Sequence, residues 1–154
     1  MTNAIDARLA ELGIELPNAP APAANYVPHV RTGDLVFISG QVPATADGLI
    51  TGKLGGGFSV EDGQAAARVC AINLIAQMKS ACGGDLSKVA RIVKLTGFVN
   101  STQDFPDHPK VVNGASDLMV EVFGDAGRHS RSAVGVANLP FGVAVEVEGI
   151  FEIS

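Results

Sequence analysis

Two spacings of apolar residues alternate along this chain, and each predicts a different kind of element. At period two, Val143, Val145 and Val147 alternate with Ala144, Glu146 and Glu148, which predicts a strand with one apolar and one polar face running on to Ile153. At helical spacing, Val111, Val112, Ala115, Leu118, Met119 and Val122 fall on one stripe. That stripe predicts a helix entered through Asp104-Phe-Pro-Asp107, tolerant of Pro109 in its first turn and stopped at Gly124. Upstream, Ser59 and Asp62 form a Ser-x-x-Asp capping box, so another helix starts at Val60 and runs to Gly83-Gly84. Its apolar positions nearly encircle it, which predicts cover on more than one side.

The other segments read more locally. Residues 3–13 predict a short helix with a glycine stop, and Pro17, Pro20 and Pro22 make 15–24 an extended arm. Tyr26 to Val30 and Leu35 to Ile38 flank Thr32-Gly33-Asp34 as a β-hairpin, with Ser39-Gly40-Gln41 closing its second strand. Leu86 opens a capped turn before a strand over Ile92 to Val99. Arg131 to Asn138 and Val143 to Ile153 are strand-like runs joined by Leu139-Pro-Phe-Gly142. Pairing about that turn would put Arg131 and Glu146 on one face, offset by about four residues or ~13 Å. Between Thr45 and Gly57 lie five glycines, but Lys53 precedes the glycine triplet and no Lys-Ser/Thr follows it, so a flexible connection is expected rather than a phosphate loop.

The order helix, β, β, α, β, α, β, β, without internal repeat or linker, predicts an α+β domain. Its mixed sheet would carry two helices on one face, in the ferredoxin-like or chorismate-mutase-like manner. Residues 1–24 stand as an N-terminal helix with a Pro/Ala-rich extension, and 25–154 as a single domain.

Composition sharpens this picture. With 154 residues, 47% hydrophobic and only 18% charged, the chain is expected to bury apolar surface against sister subunits. A net charge of −5 opposes nucleic-acid binding, and the densest basic stretch is only Arg128-His129-Ser130-Arg131. Cys70 and Cys82 read as buried thiols, and they lack zinc-ligand spacing, as do His29, His108 and His129. Asp6, Arg8 and Glu11 interrupt the N-terminus, so no signal peptide is expected, and no run approaches the roughly eighteen apolar residues of a membrane span. The cytoplasm is the expected compartment.

The final third carries the most specific pattern. Ser130-Arg-Ser-Ala-Val-Gly-Val-Ala-Asn-Leu-Pro140, followed by Val143-Ala-Val-Glu-Val-Glu-Gly-Ile150, resembles the C-terminal signature of the Rid (YjgF-like) imine deaminases, also called the L-PSP endoribonuclease family. Matching stretches precede it at Asn25-Tyr26-Val27, Leu35 to Gln41, Phe98-Val99, Asp104-Phe105 and Val112-Asn113, so the likeness covers about residues 25–153.

The resemblance implies a homotrimer whose sheets form a central barrel, with sites between subunits and no metal or organic cofactor. It implies hydrolysis of 2-imino acids to 2-oxo acids and ammonia. Carried over by position, Arg131 would bind the substrate carboxylate, Glu146 would assist the attacking water, and Tyr26 and Asn113 would line the pocket. The backbone of Gly40 would help place the imine nitrogen. Ala133 stands where many members have cysteine, which leaves only a backbone contact there, and the N-terminal extension marks a longer subgroup.

The residue types suit that chemistry. Guanidinium offers a planar fork that matches a carboxylate, although a surface ion pair is its commoner use. Glu146 shares its side of the strand with Glu148 and Glu152, a pattern usual for a solvated face, while partial burial would raise its pKa toward that of a general base. Two other functions stay open: a non-catalytic receptor for a small carboxylate, and, less well supported by the acidity, RNA cleavage.

Overall fold

Side-chain caps open the first two helices. In the computed structural model, which describes residues 3–22 and 24–154, Asn3 accepts a hydrogen bond from the Asp6 amide at 2.8 Å and starts α1 (Ala4–Glu11). Ser59 accepts from the Asp62 amide at 3.1 Å and starts α2 (Val60–Ala81), which stops before Gly83 and Gly84 at φ 65° and 94°. Helix α3 (His108–Phe123) holds Pro109 in its first turn and ends at Gly124, φ 62°.

The strands are β1 (His29–Thr32), β2 (Leu35–Gln41), β3 (Ala44–Thr45), β4 (Gly48–Leu49), β5 (Val89–Asn100), β6 (Ser130–Val136) and β7 (Val145–Ile153). Five of them form one mixed sheet in the order β1-β2-β7-β5-β6, antiparallel throughout except for the parallel pair β5/β6. Helices α2 and α3 pack on each other and on one face of this sheet, with Leu74, Ile75, Leu95, Leu118, Met119 and Phe151 fully buried between the layers. The two helices cross closely, because a side chain at Gly114 would fall on the Gln64 backbone. Leu9 of α1 joins the same core. The fold class is the α+β one expected.

Three expectations need correction. Strands β6 and β7 do not pair about Leu139–Gly142. A strand reached through a helix returns parallel to the one before it, so α3 fixes β6 beside β5, and β7 pairs along the other edge of β5. The glycine-rich segment is more than a flexible connection: it holds the hairpin β3/β4, buries Leu54 completely, and ties the Leu54 amide to the Asn100 carbonyl at 2.9 Å. Finally, β1 begins at His29 rather than Tyr26, since Pro28 has no amide to give to a ladder.

The sheet face away from the helices is partly apolar. Val30, Phe37 and Val134 on it are 54%, 42% and 44% exposed.

Candidate active site

Arg131 lies on edge strand β6 opposite Leu95, whose side chain is in the core, so Arg131 also points to the helix side of the sheet. There it meets one stripe of α3. Its Nη1 donates to Asn113 Oδ1 at 2.8 Å and to Ser116 Oγ at 3.2 Å, and its Nη2 donates to the Pro109 carbonyl at 3.3 Å. Every one of these acceptors is uncharged, and among the described residues no carboxylate pairs with this guanidinium.

His129 completes the arrangement. Its Nδ1 donates to the Gly127 carbonyl at 2.6 Å, which leaves Nε2 to accept from Ser116 Oγ at 2.9 Å. Hydrogen bonds then run in one direction from Arg131 through Ser116 to His129. Burial pushes the His129 pKa down, and the Arg131 charge adds to this against the opposing pull of the Gly127 carbonyl. A neutral imidazole is what this chain of donors requires.

Glu146 lies on β7 opposite Phe98, three residues from Leu95 along β5, and therefore on the open face. It is half-buried, and burial first, with Glu148 second, raises its pKa above the ordinary carboxylate value. Strand β2 makes room for it. Ile38 pairs with Gly149 but Gln41 with Val147, so β2 carries one extra residue at Ser39-Gly40, a bulge. A side chain at Gly40 would fall on Glu146 Oε1. Ser39 fixes the segment that carries Tyr26, its Oγ donating to the Val27 carbonyl at 2.8 Å and its amide to that of Pro28 at 2.9 Å.

Glu146, Gly40 and Tyr26 thus border one cavity of about 370 Å³, which the arm at Pro20, Ala21 and Pro22 also lines. Arg131 is not part of it. The expectation that Arg131 and Glu146 share a face is overturned: β5 runs between them, they point to opposite sides, and their Cα atoms are ~14 Å apart by two strand spacings and a three-residue offset. The structure brings Arg131 together with Asn113, and Glu146 together with Tyr26 and Gly40, as two separate groups.

Residues 6–148 match the family profile described as "YjgF/chorismate_mutase-like, putative endoribonuclease". The chain belongs to this family. "Protein TCP17" of Trypanosoma cruzi is 51% identical over 97% of this chain and 94% of its own length. A 2-iminobutanoate/2-iminopropanoate deaminase of Salmonella typhimurium is 35% identical over 89% of this chain and 94% of its own. Among solved structures, Atu1372 of Agrobacterium tumefaciens, described as of unknown function, superposes with a TM-score of 0.91 at 47% identity, covering 97% of this chain and 92% of that one. TdcF of E. coli, solved with bound serine, gives 0.65 at 31% identity over 92% and 98%.

Within this family member, Ala133 faces the helix layer beside Gly97, two residues beyond Arg131. Cys70 and Cys82 are free and buried, and among the described residues no three His, Cys, Asp or Glu side chains are grouped to hold a metal. No helix among them is long and apolar enough to cross a membrane.

Sequence reasoning missed Ser116, the hydroxyl that stands between Arg131 and His129. The available signal was the spacing of Pro109, Asn113 and Ser116, which puts them on one side of α3. Nothing local marked Gln77 and Asn73, the buried amides of α2 that hold the cavity walls through Pro20, Val42 and Ala44.

Proposed function

We propose that this protein hydrolyses 2-imino acids to 2-oxo acids and ammonia, in sites that each combine the Arg131 group of one copy with the Glu146 group of another. The observation that carries this reading is the Arg131 guanidinium, positioned by three neutral acceptors and paired with no carboxylate among the described residues. A cation fixed in this way, with donor groups to spare, is suited to a carboxylate ligand. The serine bound to TdcF and the deaminase name of the Salmonella relative support a ligand of the amino-acid class.

Glu146 supplies the complementary chemistry. Water adds to the imine carbon as the Glu146 carboxylate takes its proton, the nitrogen is protonated, and the carbinolamine so formed expels ammonia and leaves the 2-oxo acid. A base with a raised pKa suits a reaction near neutral pH in both directions of proton transfer. The Gly40 backbone borders the place where the nitrogen would lie, and Tyr26 and Asn113 line the two halves. Ala133 offers only its backbone.

Because the two groups lie on opposite faces of one sheet, the reading needs more than one copy. Val30, Phe37 and Val134 on the open face support a homotrimer closed through that face. The test is release of 2-oxo acid from imines generated by an amino-acid oxidase, on wild type and Arg131→Ala, beside native mass spectrometry. A trimer whose turnover disappears in Arg131→Ala is expected; turnover that survives the substitution rejects the reading.

A further inference from the structure

The arm at the Glu146 cavity is fixed rather than draped. The Pro20 carbonyl accepts a hydrogen bond from Gln77 Nε2, a fully buried amide on α2, at 2.7 Å. From that anchor Pro20, Ala21 and Pro22 line the cavity that Gly40 and Glu146 also border. Prolines limit the backbone freedom of such a wall, so it keeps its shape without strand partners. Phe141 also lines the cavity, 70% exposed and at φ 60°, the one non-glycine residue with positive φ among those described. Hydrogen bonds of the turn hold it there, the Gly142 amide donating to the Leu139 carbonyl at 3.0 Å and the Val143 amide to that of Pro140 at 3.3 Å.

We propose that the arm forms the side-chain wall of the substrate site and selects 2-imino acids with branched or aromatic apolar side chains over those with small or acidic ones. This rests on the hydrolytic reading for the identity of the reacting group, and on the cavity alone for the preference. A volume of about 370 Å³ is far more than a methyl side chain fills and lies within the range of whole small-ligand pockets. Apart from Tyr26, Gln41 and Glu146, its lining is proline, glycine, aliphatic residues and Phe141. Among the described residues no lysine or arginine borders it to meet a second carboxylate, and Glu146 repels one.

The experiment is calorimetric titration of the native assembly with 4-methyl-2-oxopentanoate, pyruvate and 2-oxoglutarate, on wild type, Ala21→Trp and Gln77→Met. Wild type is expected to bind the branched acid about sixty-fold more tightly than pyruvate, with 2-oxoglutarate weakest, since each of its three added apolar carbons contributes about four-fold in a fitting pocket. Filling the cavity with Ala21→Trp should bring the first ratio close to one. If that variant fails to assemble, Gln77→Met, which frees the Pro20 carbonyl without adding bulk to the cavity, should narrow the ratio at least three-fold. Equal binding of the three acids by wild type, or a ratio unmoved in folded variants, overturns the proposal. The expected binding pattern without imine turnover would reject hydrolysis and leave the selective wall standing.

Discussion

Arg131 and Glu146 stand on opposite faces of one sheet with β5 between them. A single copy cannot present both to one small substrate.

Mixing two inactive chains should therefore restore activity. In a closed ring, Arg131→Ala and Glu146→Gln chains combined in equal amounts leave about a quarter of the interfaces with both groups intact. After co-refolding, about that fraction of wild-type 2-oxo acid release is expected. No recovery in a mixture shown by mass to contain both chains would place the two groups in different sites.

Arg131→Lys should keep the charge and lose the fork. Each charge-assisted hydrogen bond contributes about 1.5–3 kcal/mol, so kcat/KM should fall about 10²-fold or more, mostly through KM. Thermal stability should change little, since the side chain sits at the sheet edge. Steady-state kinetics with a differential scanning control would show both.

The raised pKa of Glu146 has a sign for rate and for stability. Activity should climb with pH as the carboxylate forms, and Glu148→Gln, by removing the neighbouring charge, should move the climb to lower pH. For stability, a folded pKa above the unfolded one means that ionisation costs the folded state. This cost is absent below the unfolded value, grows as pH rises toward the folded value, and is complete above it. Glu146→Gln should accordingly raise the melting temperature at neutral pH and leave it unchanged near or below about pH 4. Melting curves across pH would refute this if the two proteins stayed parallel.

Gly40→Ala should separate folding from chemistry. The backbone at position 40 is not in the left-handed region, so alanine is conformationally acceptable, but its methyl group displaces the Glu146 carboxylate. The expected variant folds, still binds 2-oxo acids through Arg131, and loses turnover by about 10²-fold. A fully active Gly40→Ala would show that the carboxylate position does not matter.

Ser116→Ala should loosen Arg131 without touching ligand. With Asn113 and Pro109 still in place, a loss of about ten-fold in kcat/KM is expected, read as KM rather than kcat, and Ser116→Thr should recover part of it. Equal losses in kcat and in folding stability would point to a packing role.

Much of this fold was legible because its signals are local. The Ser59 cap, the stripe from Val111 to Val122 and the alternation through Val145 and Val147 each express the geometry of a single element. Strand order was another matter. The strand-like run from Arg131 to Asn138 does not say which neighbour it joins, and the choice between β7 and β5 was made by α3 packing over the sheet. The face assigned to Arg131 inherited that error. The cavity beside Glu146 was hidden for a similar reason, since Pro20, Gln77 and Phe141 meet only after three distant segments have folded together.

The extra residue at Ser39-Gly40 divides β2 into two stretches of opposite parity. Before it, Val36 and Ile38 point inward; after it, Gln41 does. Deleting one residue there would mend the ladder and keep Gln41 facing inward, but it would remove the bulge that makes room for Glu146, whereas the exposed tip at Ala46-Asp47 can gain or lose residues without altering any pairing in the main sheet. Length is thus negotiable a few residues from the acid group and forbidden beside it.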